Sequence, residues 1–174
     1  FAFVDQVAIE KTIAELSGSG KISLVIWTTT PWTLPANQAV SANAEVDYAL
    51  VQVGDERLLI AETLIGSVLA RAKIESHEIV GHVKGAALEN LLLQHPFYAR
   101  QVPVILGDHV TTDAGTGFVH TAPDHGADDF NVGVKYGIGT LNYIDDHGTY
   151  RPNVEIFAGD HVYKVDEKVI ALLI

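Results

Sequence analysis

The stretch that decides the fold of this 174-residue chain reads Trp27-Thr28-Thr29-Thr30-Pro31-Trp32-Thr33-Leu34-Pro35. It directly follows an apolar run, residues 22–26, which is typical of a β-strand. Single threonines suit a strand because their branched side chains pack well on a pleated sheet. Four threonines and two tryptophans in one proline-bounded loop go beyond that preference. A strand that ends in a loop rich in hydroxyl groups predicts a polar pocket on a rigid scaffold.

A second polar segment reads Gly115-Thr116-Gly117-Phe118-Val119-His120-Thr121-Ala122-Pro123-Asp124-His125-Gly126-Ala127-Asp128-Asp129-Phe130. It contains the chain's dense group of imidazoles and carboxylates, which are His120, Asp124, His125, Asp128 and Asp129. Such groups could hold a metal ion for hydrolysis. Alternatively, the aspartates cap a helix that begins here, because carboxylates stabilise the positive end of a helix. The residue types alone leave both interpretations open.

Together, the two motifs resemble the editing domain of class I aminoacyl-tRNA synthetases of the isoleucyl, valyl and leucyl group, most closely its isoleucyl members. The second segment matches the family pattern GTG-x-VHTAP-x-HG-x-x-D-F/Y. In place of the first motif, valyl enzymes typically carry ATTRPET and leucyl enzymes TTRPDT. The resemblance extends over nearly the whole chain and is strongest at residues 22–41 and 103–137.

The pattern of elements favours a mainly β fold with inserted helices, an α+β fold centred on a β-barrel. Predicted strands include residues 3–9, 22–27 and 78–83, and a hairpin joins 48–53 to 57–61. Predicted helices include residues 10–16, 64–72, 128–136 and 162–173. We expect residues 1–174 to form a single editing domain, and the resemblance and the missing initiator Met suggest a fragment of a larger synthetase.

The resemblance implies a role for two residues of the second segment. Asp129, nine positions after His120, corresponds to the aspartate that binds the α-ammonium group of a misacylated amino acid. A carboxylate paired with an ammonium forms a charge-assisted hydrogen bond and orients the substrate. Asp128 is the neighbouring choice that the family spacing disfavours. His120 corresponds to the histidine that lines the side-chain pocket and excludes isoleucine by bulk, with a core histidine as the competing interpretation.

The threonine-rich loop would hold the reacting groups of the substrate. Hydroxyl groups both donate and accept hydrogen bonds, which suits the ester carbonyl, the terminal ribose and the attacking water. The residues to which the resemblance assigns this role are Thr28, Thr29, Thr30 and Thr33. No thiol is available, since the chain has no Cys, and no Ser-His-Asp arrangement is evident. The sequence therefore predicts direct attack by water, without a covalent intermediate.

Six further residues are candidates for substrate binding. The two tryptophans either pack against the terminal adenosine, stiffen the loop or belong to the core. The asparagine of the LPAN motif would orient the loop. The Gly-Thr-Gly segment would let the backbone approach a ligand closely, unless its glycines simply form tight turns. These residues are Trp27, Trp32, Asn37, Gly115, Thr116 and Gly117.

The resemblance implies an aminoacyl-ester hydrolase that removes valine from Val-tRNA(Ile) after transfer, with hydrolysis of valyl-adenylate left open. The adenylation signatures HIGH and KMSKS are absent, so ATP, Mg and any Zn would belong to the rest of the parent enzyme. No metal or other cofactor is expected in this domain. The alternatives are a non-catalytic module that binds the aminoacylated CCA end and a metal-assisted hydrolase that uses the His and Asp cluster.

Charge constrains the partners of this chain. It carries 22 acidic and 11 basic residues, for a formal net charge of −11. Since phosphate contacts need Lys or Arg, we expect the remaining domains of the synthetase to hold the body of the tRNA and this domain to meet only its 3′ end. The lack of Cys fits a cytoplasmic protein, and no apolar run predicts a membrane span.

Overall fold

The computed structural model describes all 174 residues. The strands are β1 (Ala2–Phe3), β2 (Lys21–Leu24), β3 (Ala39–Ala42), β4 (Asp47–Val53), β5 (Glu56–Ala61), β6 (Glu78–Lys84), β7 (Leu92–Gln94), β8 (Gln101–Leu106) and β9 (Val119–Thr121). The α-helices are α1 (Gln6–Glu10), α2 (Ile65–Arg71), α3 (Ala127–Lys135) and α4 (Asp166–Leu173). Short 3-10 helices cover Pro31–Ala36, Glu62–Leu64, Gly85–Leu88 and Val162–Lys164. None of the helices has the length and apolar composition needed to cross a membrane.

The strands form one mixed sheet in the order β6-β4-β5-β2-β1-β7-β8-β3-β9. Strands β4 and β5 form the predicted antiparallel hairpin around Gly54 and Asp55. The β2–β5 and β3–β8 pairs are parallel, whereas β1 pairs antiparallel with both β2 and β7. Parallel pairing of β2 with β5 places the carboxyl ends of both strands at the same edge of the sheet.

The mainly β fold class is confirmed, but the sheet is open and does not close into the expected barrel. The outer edge of β6 is already hydrogen-bonded to another segment. Ala14 and His82 exchange two backbone hydrogen bonds of 2.8 and 3.0 Å, and Ser17 N–H donates to the Val80 carbonyl at 2.8 Å. These contacts occupy groups on β6 that a closing strand would need.

The first sixteen residues differ from the sequence prediction. The strand expected over residues 3–9 ends at Phe3, and α1 begins three residues later. Asp5 caps this helix, since its side chain accepts a hydrogen bond of 2.9 Å from the Ala8 N–H. The helix expected over residues 10–16 is a turn followed by the bridge at Ala14. The apolar residues on both sides of Asp5 and Gln6 suggest a strand, but the aspartate cap starts a helix at this point.

The chain divides into two compact units. The first comprises residues 1–27 and 39–120, and its core lies among β2, β4, β5 and β8. The second comprises residues 28–38 and 121–174. In the second unit α4 packs on the 3-10 helix Pro31–Ala36, and its buried residue is Val169. The C-terminal helix of the sequence prediction is thus present, although a 3-10 turn precedes its start at Asp166.

In the first unit, the Gly-Thr-Gly segment is attached to the hairpin by buried hydrogen bonds. The Ala61 N–H donates to the Thr116 carbonyl at 2.9 Å, and the Tyr48 hydroxyl donates to the Gly117 carbonyl at 2.7 Å. Burial raises the pKa of Tyr48 to about 12, so this hydroxyl stays protonated and can donate. The Tyr48 ring also stacks on Phe118, with 4.3 Å between centroids.

Gly117 adopts a φ of +82° where the hairpin comes closest to this segment. A Cβ at this position would lie 2.3 Å from the Cβ of Ala61. We predict that Gly117→Ala lowers the free energy of unfolding by about 2–4 kcal/mol, because left-handed strain adds to overpacking.

Urea unfolding measures this effect, and Gly54→Ala is the matched control. Gly54 also has a positive φ, of +55°, but nothing lies within 4 Å of the place that an added methyl group would take. The control should therefore show only the smaller backbone cost, about 1 kcal/mol. Equal losses in the two variants would show that the contact with Ala61 is not the limiting constraint.

Candidate functional site

The threonine-rich loop lies in the second unit and continues into the 3-10 helix Pro31–Ala36. Proline suits the first position of this helix because its fixed φ matches that of a helix. Its missing N–H costs no hydrogen bond within the helix at this position. The Thr30 carbonyl accepts hydrogen bonds from the Thr33 N–H at 3.0 Å and from the Thr33 hydroxyl at 2.9 Å. Because Thr33 is buried and bonded within this turn, its hydroxyl stabilises the loop.

The other three threonines are more accessible. The Thr28 hydroxyl accepts a hydrogen bond of 3.0 Å from the Thr30 N–H and lies 3.4 Å from the Thr30 hydroxyl. This local turn fixes the direction of both side chains. Thr29 is exposed, and its hydroxyl makes no hydrogen bond within the chain. Of the four hydroxyl groups, that of Thr29 is therefore the one fully available to a ligand or a water molecule.

Asp129 lies in the first turn of α3, whose N-cap is Gly126. Its carboxylate accepts a hydrogen bond of 2.8 Å from the Ala122 N–H, which fixes the side chain against the preceding loop. Asp129 is half-buried, whereas Asp128 is exposed. Both carboxylates lie in the first turn, at the positive end of the helix, but no aspartate side chain caps it, so only the electrostatic part of the capping interpretation is confirmed. Only Asp129 has the partial burial that makes a charge-assisted contact strong.

The loop before α3 contacts the threonine-rich loop through two aromatic rings. The rings of Trp32 and His125 meet edge to face, with 5.2 Å between centroids and 78° between planes. The hydroxyl of the buried Tyr150 donates a hydrogen bond to the Trp32 carbonyl. The Gln38 N–H also donates to the Thr121 carbonyl at 3.0 Å. The second unit therefore brings together parts of both sequence motifs.

His125 is the partly buried imidazole of this group. Burial lowers its pKa, and the carboxylates of Asp124 and Asp129 oppose that effect without reversing it. The neutral ring is therefore the favoured form near pH 7.

Four of the remaining candidates lie in residues 115–120 of the first unit, and two of them are bonded to its scaffold. Thr116 and Gly117 are attached to the hairpin as described above, and His120 is buried in β9. Gly115 has a φ of +82°, and its backbone lies beside the ring of Trp27. The ligand-binding roles of these residues remain predictions.

Trp27 and Asn37 differ sharply in exposure. Trp27 is 47% exposed, so the core interpretation does not describe it, and the guanidinium carbon of Arg71 lies 5.1 Å from the centroid of its ring. Asn37 is buried and ends the 3-10 helix, where its N–H donates to the Leu34 carbonyl at 3.0 Å. This position suits the predicted role of Asn37 in orienting the loop.

The His and Asp cluster does not form a metal-binding geometry. No group of three or more His, Cys, Asp or Glu side chains comes together in a way that could hold a metal ion. In place of that arrangement, Asp129 bonds to backbone and His125 packs on Trp32. The side chains of the second sequence motif thus act through hydrogen bonds and ring contacts.

Sequence reasoning did not find Tyr150, Arg71 or the packing role of His125. Tyr150 is 118 residues from Trp32, and no motif surrounds it. Arg71 lies at the end of a helix that the sequence predicted without a functional role. His125 belongs to the second motif, but its residue type suggested a metal ligand and not a ring contact.

Solved structures with the same fold define its class. The structure of GlLeuRS-CP1 superposes with a TM-score of 0.72 at 17% identity, covering 90% of this chain and 81% of that chain. The P. knowlesi cytosolic leucyl-tRNA synthetase editing domain superposes with a TM-score of 0.64 at 14% identity, covering 78% and 60%. At these identities the likeness shows the fold alone, which is that of synthetase editing domains.

The sequence matches agree with this class. The family model described as leucyl-tRNA synthetase, editing domain, matches residues 11–163, and the chain belongs to this family. It is 65% identical over 173 residues to the isoleucine–tRNA ligase of Teredinibacter turnerae, a match that covers 99% of this chain and 18% of that protein. The isoleucine–tRNA ligase of Saccharophagus degradans is also 65% identical, with 99% and 19% covered. The chain thus spans about a fifth of the length of these relatives, and the resemblance to isoleucyl sequences is confirmed.

We predict that the pKa of His125 in the folded chain lies below its ordinary value of 6.5, because burial outweighs the two carboxylates. The unfolded chain then binds this proton at a higher pH than the folded chain. The stabilising contribution is complete above pH 6.5 and is lost as the pH falls through 6.5 towards the folded pKa.

An NMR titration of the His125 ring protons measures this pKa directly. In Trp32→Ala the indole that covers the ring is absent, so the pKa should move back towards 6.5. A value at or above 6.5 in the unmodified chain would mean that Asp124 and Asp129 dominate over burial.

Proposed function

We propose that this chain is the editing part of an isoleucyl-tRNA synthetase. In this proposal it hydrolyses the ester bond that joins mischarged valine to tRNA(Ile). The 65% identity to isoleucine–tRNA ligases over 99% of the chain supports the parent enzyme. The remaining domains of that enzyme would carry out aminoacylation in the cytoplasm and hold the body of the tRNA. The acidic chain, with a net charge of −11, would receive only the aminoacylated CCA end.

The observation that carries this proposal is the setting of Asp129. Its carboxylate is half-buried and oriented by the Ala122 N–H, in the first turn of α3. The loop before this helix contacts Trp32 of the threonine-rich loop through His125. A fixed carboxylate in this setting suits the α-ammonium group that every aminoacyl ester carries. Binding that ammonium would place the adjacent ester carbon in a defined position, which lowers the entropic barrier to attack by water.

The chemical step requires little more than positioning. An aminoacyl ester is activated, and the chain offers no thiol nucleophile. The exposed Thr29 hydroxyl would hold the attacking water or the ester carbonyl, and the Thr28 and Thr30 side chains would contact the ribose. A ribose hydroxyl of the substrate would assist the proton transfer. The negative charge that develops on the carbonyl oxygen would be stabilised by hydrogen-bond donors of the loop.

Specificity would come from a second selection by size. A synthesis site that accepts isoleucine also admits valine, because one methylene contributes too little binding energy; the isoleucyl enzymes are the standard example of this limit. The editing site would exclude isoleucine by its size and admit only the smaller side chain of valine. His120, buried in β9, supplies the bulk in this proposal, and that role rests on the sequence motif.

Asp129→Asn tests the ammonium role. The amide keeps an oxygen that can accept the Ala122 hydrogen bond, and only the charge is lost. We expect kcat/KM for Val-tRNA(Ile) deacylation to fall about 10- to 100-fold, since a hydrogen bond to a charged group contributes about 1.5–3 kcal/mol. The measurement is release of labelled valine, with circular dichroism to check folding.

Asp128→Asn is the matched control for this measurement. It makes the same charge change on the neighbouring, exposed residue and should leave deacylation near the unmodified rate. Equal losses of activity in the two variants would mean that the loss reflects the change in net charge alone. Asp129 would then have no specific role in binding the ammonium group. Adding EDTA to the same assay distinguishes the metal-assisted alternative, which requires activity to disappear. Binding of a CCA end without any hydrolysis would favour the non-catalytic module.

His120→Ala tests the steric role. Removal of the imidazole should enlarge the side-chain pocket, so that hydrolysis of correctly charged Ile-tRNA(Ile) rises by about 10-fold or more. The exposed His77→Ala variant serves as the control for loss of an imidazole elsewhere in the chain. If Ile-tRNA(Ile) remains stable in a folded His120→Ala protein, a different side chain excludes isoleucine.

A further inference from the structure

An aromatic and basic patch lies on the surface of the first unit. We define it by Trp27, Arg71 and Lys73. The indole of Trp27 is 47% exposed, and the Arg71 guanidinium carbon lies 5.1 Å from its ring centroid, within the range of a cation–π contact. Lys73 follows two residues after Arg71, is exposed, and adopts a φ of +57° just beyond α2. A large exposed aromatic side chain in contact with an arginine, with an exposed lysine two residues further along the chain, is unusual on an acidic surface.

The topology of the sheet explains why these residues lie together. Trp27 follows β2, and the 3-10 helix Glu62–Leu64 and α2 follow β5. Because β2 and β5 are parallel neighbours, both connections leave the same edge of the sheet. The backbone of Gly115 also lies close to the Trp27 ring, since an added Cβ there would lie 3.5 Å from Cε3.

The two cations of the patch have no acidic partner. Three other basic residues do: Arg57 is paired with Glu10, Lys84 with Asp47 and Lys168 with Asp160. Arg71 and Lys73 form no ion pair within 4.0 Å, although the chain contains twice as many acidic as basic residues, 22 against 11. Their charges are therefore available to an anionic ligand. An indole face next to such charges matches a nucleotide, which offers a flat base and a phosphate together.

We propose that Trp27, Arg71 and Lys73 form a binding site for single-stranded RNA. A base stacks on the exposed indole, and the guanidinium and ammonium groups contact the flanking phosphates. The naming of RNA rests on the proposed function, in which the ligand is the unpaired 3′ segment of a tRNA. Stacking tolerates any base, so the site supplies affinity and register and does not read sequence.

The probe is the RNA tetranucleotide ACCA, which carries no amino acid and is labelled with a fluorophore at its 5′ end; its fluorescence anisotropy is recorded as the 174-residue chain is added at low salt. We expect the anisotropy to rise on binding and the dissociation constant to rise with salt. Trp27→Leu should weaken binding about 5-fold or more, and Trp27→Phe should restore most of the affinity because it retains a stacking face. Arg71→Gln and Lys73→Gln should each weaken binding and lower the slope of log affinity against log salt by about 0.7.

The control is Lys11→Gln, which removes one exposed positive charge elsewhere in the first unit. If the Arg71 and Lys73 variants bind ACCA as tightly as the unmodified chain, or if Lys11→Gln weakens binding as much as they do, the site is refuted. The RNA in this assay carries no amino acid, so the measurement does not depend on hydrolysis. Arg71-dependent binding without deacylation would overturn the proposed function alone, whereas deacylation without Arg71-dependent binding would overturn this site alone.

Discussion

The arrangement of Asp129, His125 and Trp32 in the second unit depends on the hydrogen bond from the Ala122 N–H to the Asp129 carboxylate. It ties the end of one loop to the first turn of α3. The His125 N–H closes the same loop by donating to the Ala122 carbonyl at 2.9 Å. The close approach of α3 requires Gly133, where an added Cβ would lie 2.8 Å from the Cγ of Pro123. Together these contacts hold a carboxylate at the helix end and set the imidazole against Trp32.

The residues of the two motifs divide into those that build the framework and those that remain available. Thr33 bonds within its own turn, and Thr116 and Gly117 bond to the hairpin. Thr29 and Trp27 are exposed. This division reconciles the alternatives that the residue types left open, because one motif can stabilise a loop and present chemical groups from it. A rigid frame also keeps the available groups from losing conformational entropy when a ligand binds.

The acidic composition constrains how such a domain can meet RNA. With a net charge of −11, long-range attraction to a polyanion is unfavourable, so contact must be local. In the proposed functions, Arg71 beside Trp27 would provide such a local contact, and the oriented carboxylate of Asp129 would bind the ammonium of an aminoacyl group. Recognition of a cationic group and of a phosphate chain can thus coexist in one small acidic chain.

Local signals predicted the elements wherever turn chemistry and periodicity agreed. The hairpin around Gly54, the strand at residues 78–83 and helices α2 and α3 appear close to where the sequence placed them. The prediction failed over the first sixteen residues, where the Asp5 cap starts a helix inside a segment rich in apolar residues. It also failed for closure of the barrel, because the contacts of Ala14 and Ser17 with β6 cannot be deduced from local pattern.

The sequence by itself determined the family and the order of the two motifs, and it predicted Asp129 in preference to Asp128, because each of these depends on residue identity and spacing along the chain. Only the tertiary structure decided that Trp32 meets His125, that Tyr150 anchors the loop from 118 residues away, and that Arg71 lies over Trp27. Such contacts join distant segments whose approach is set by strand pairing and packing. No short-range preference encodes them, since they exist only once the sheet and helices have assembled.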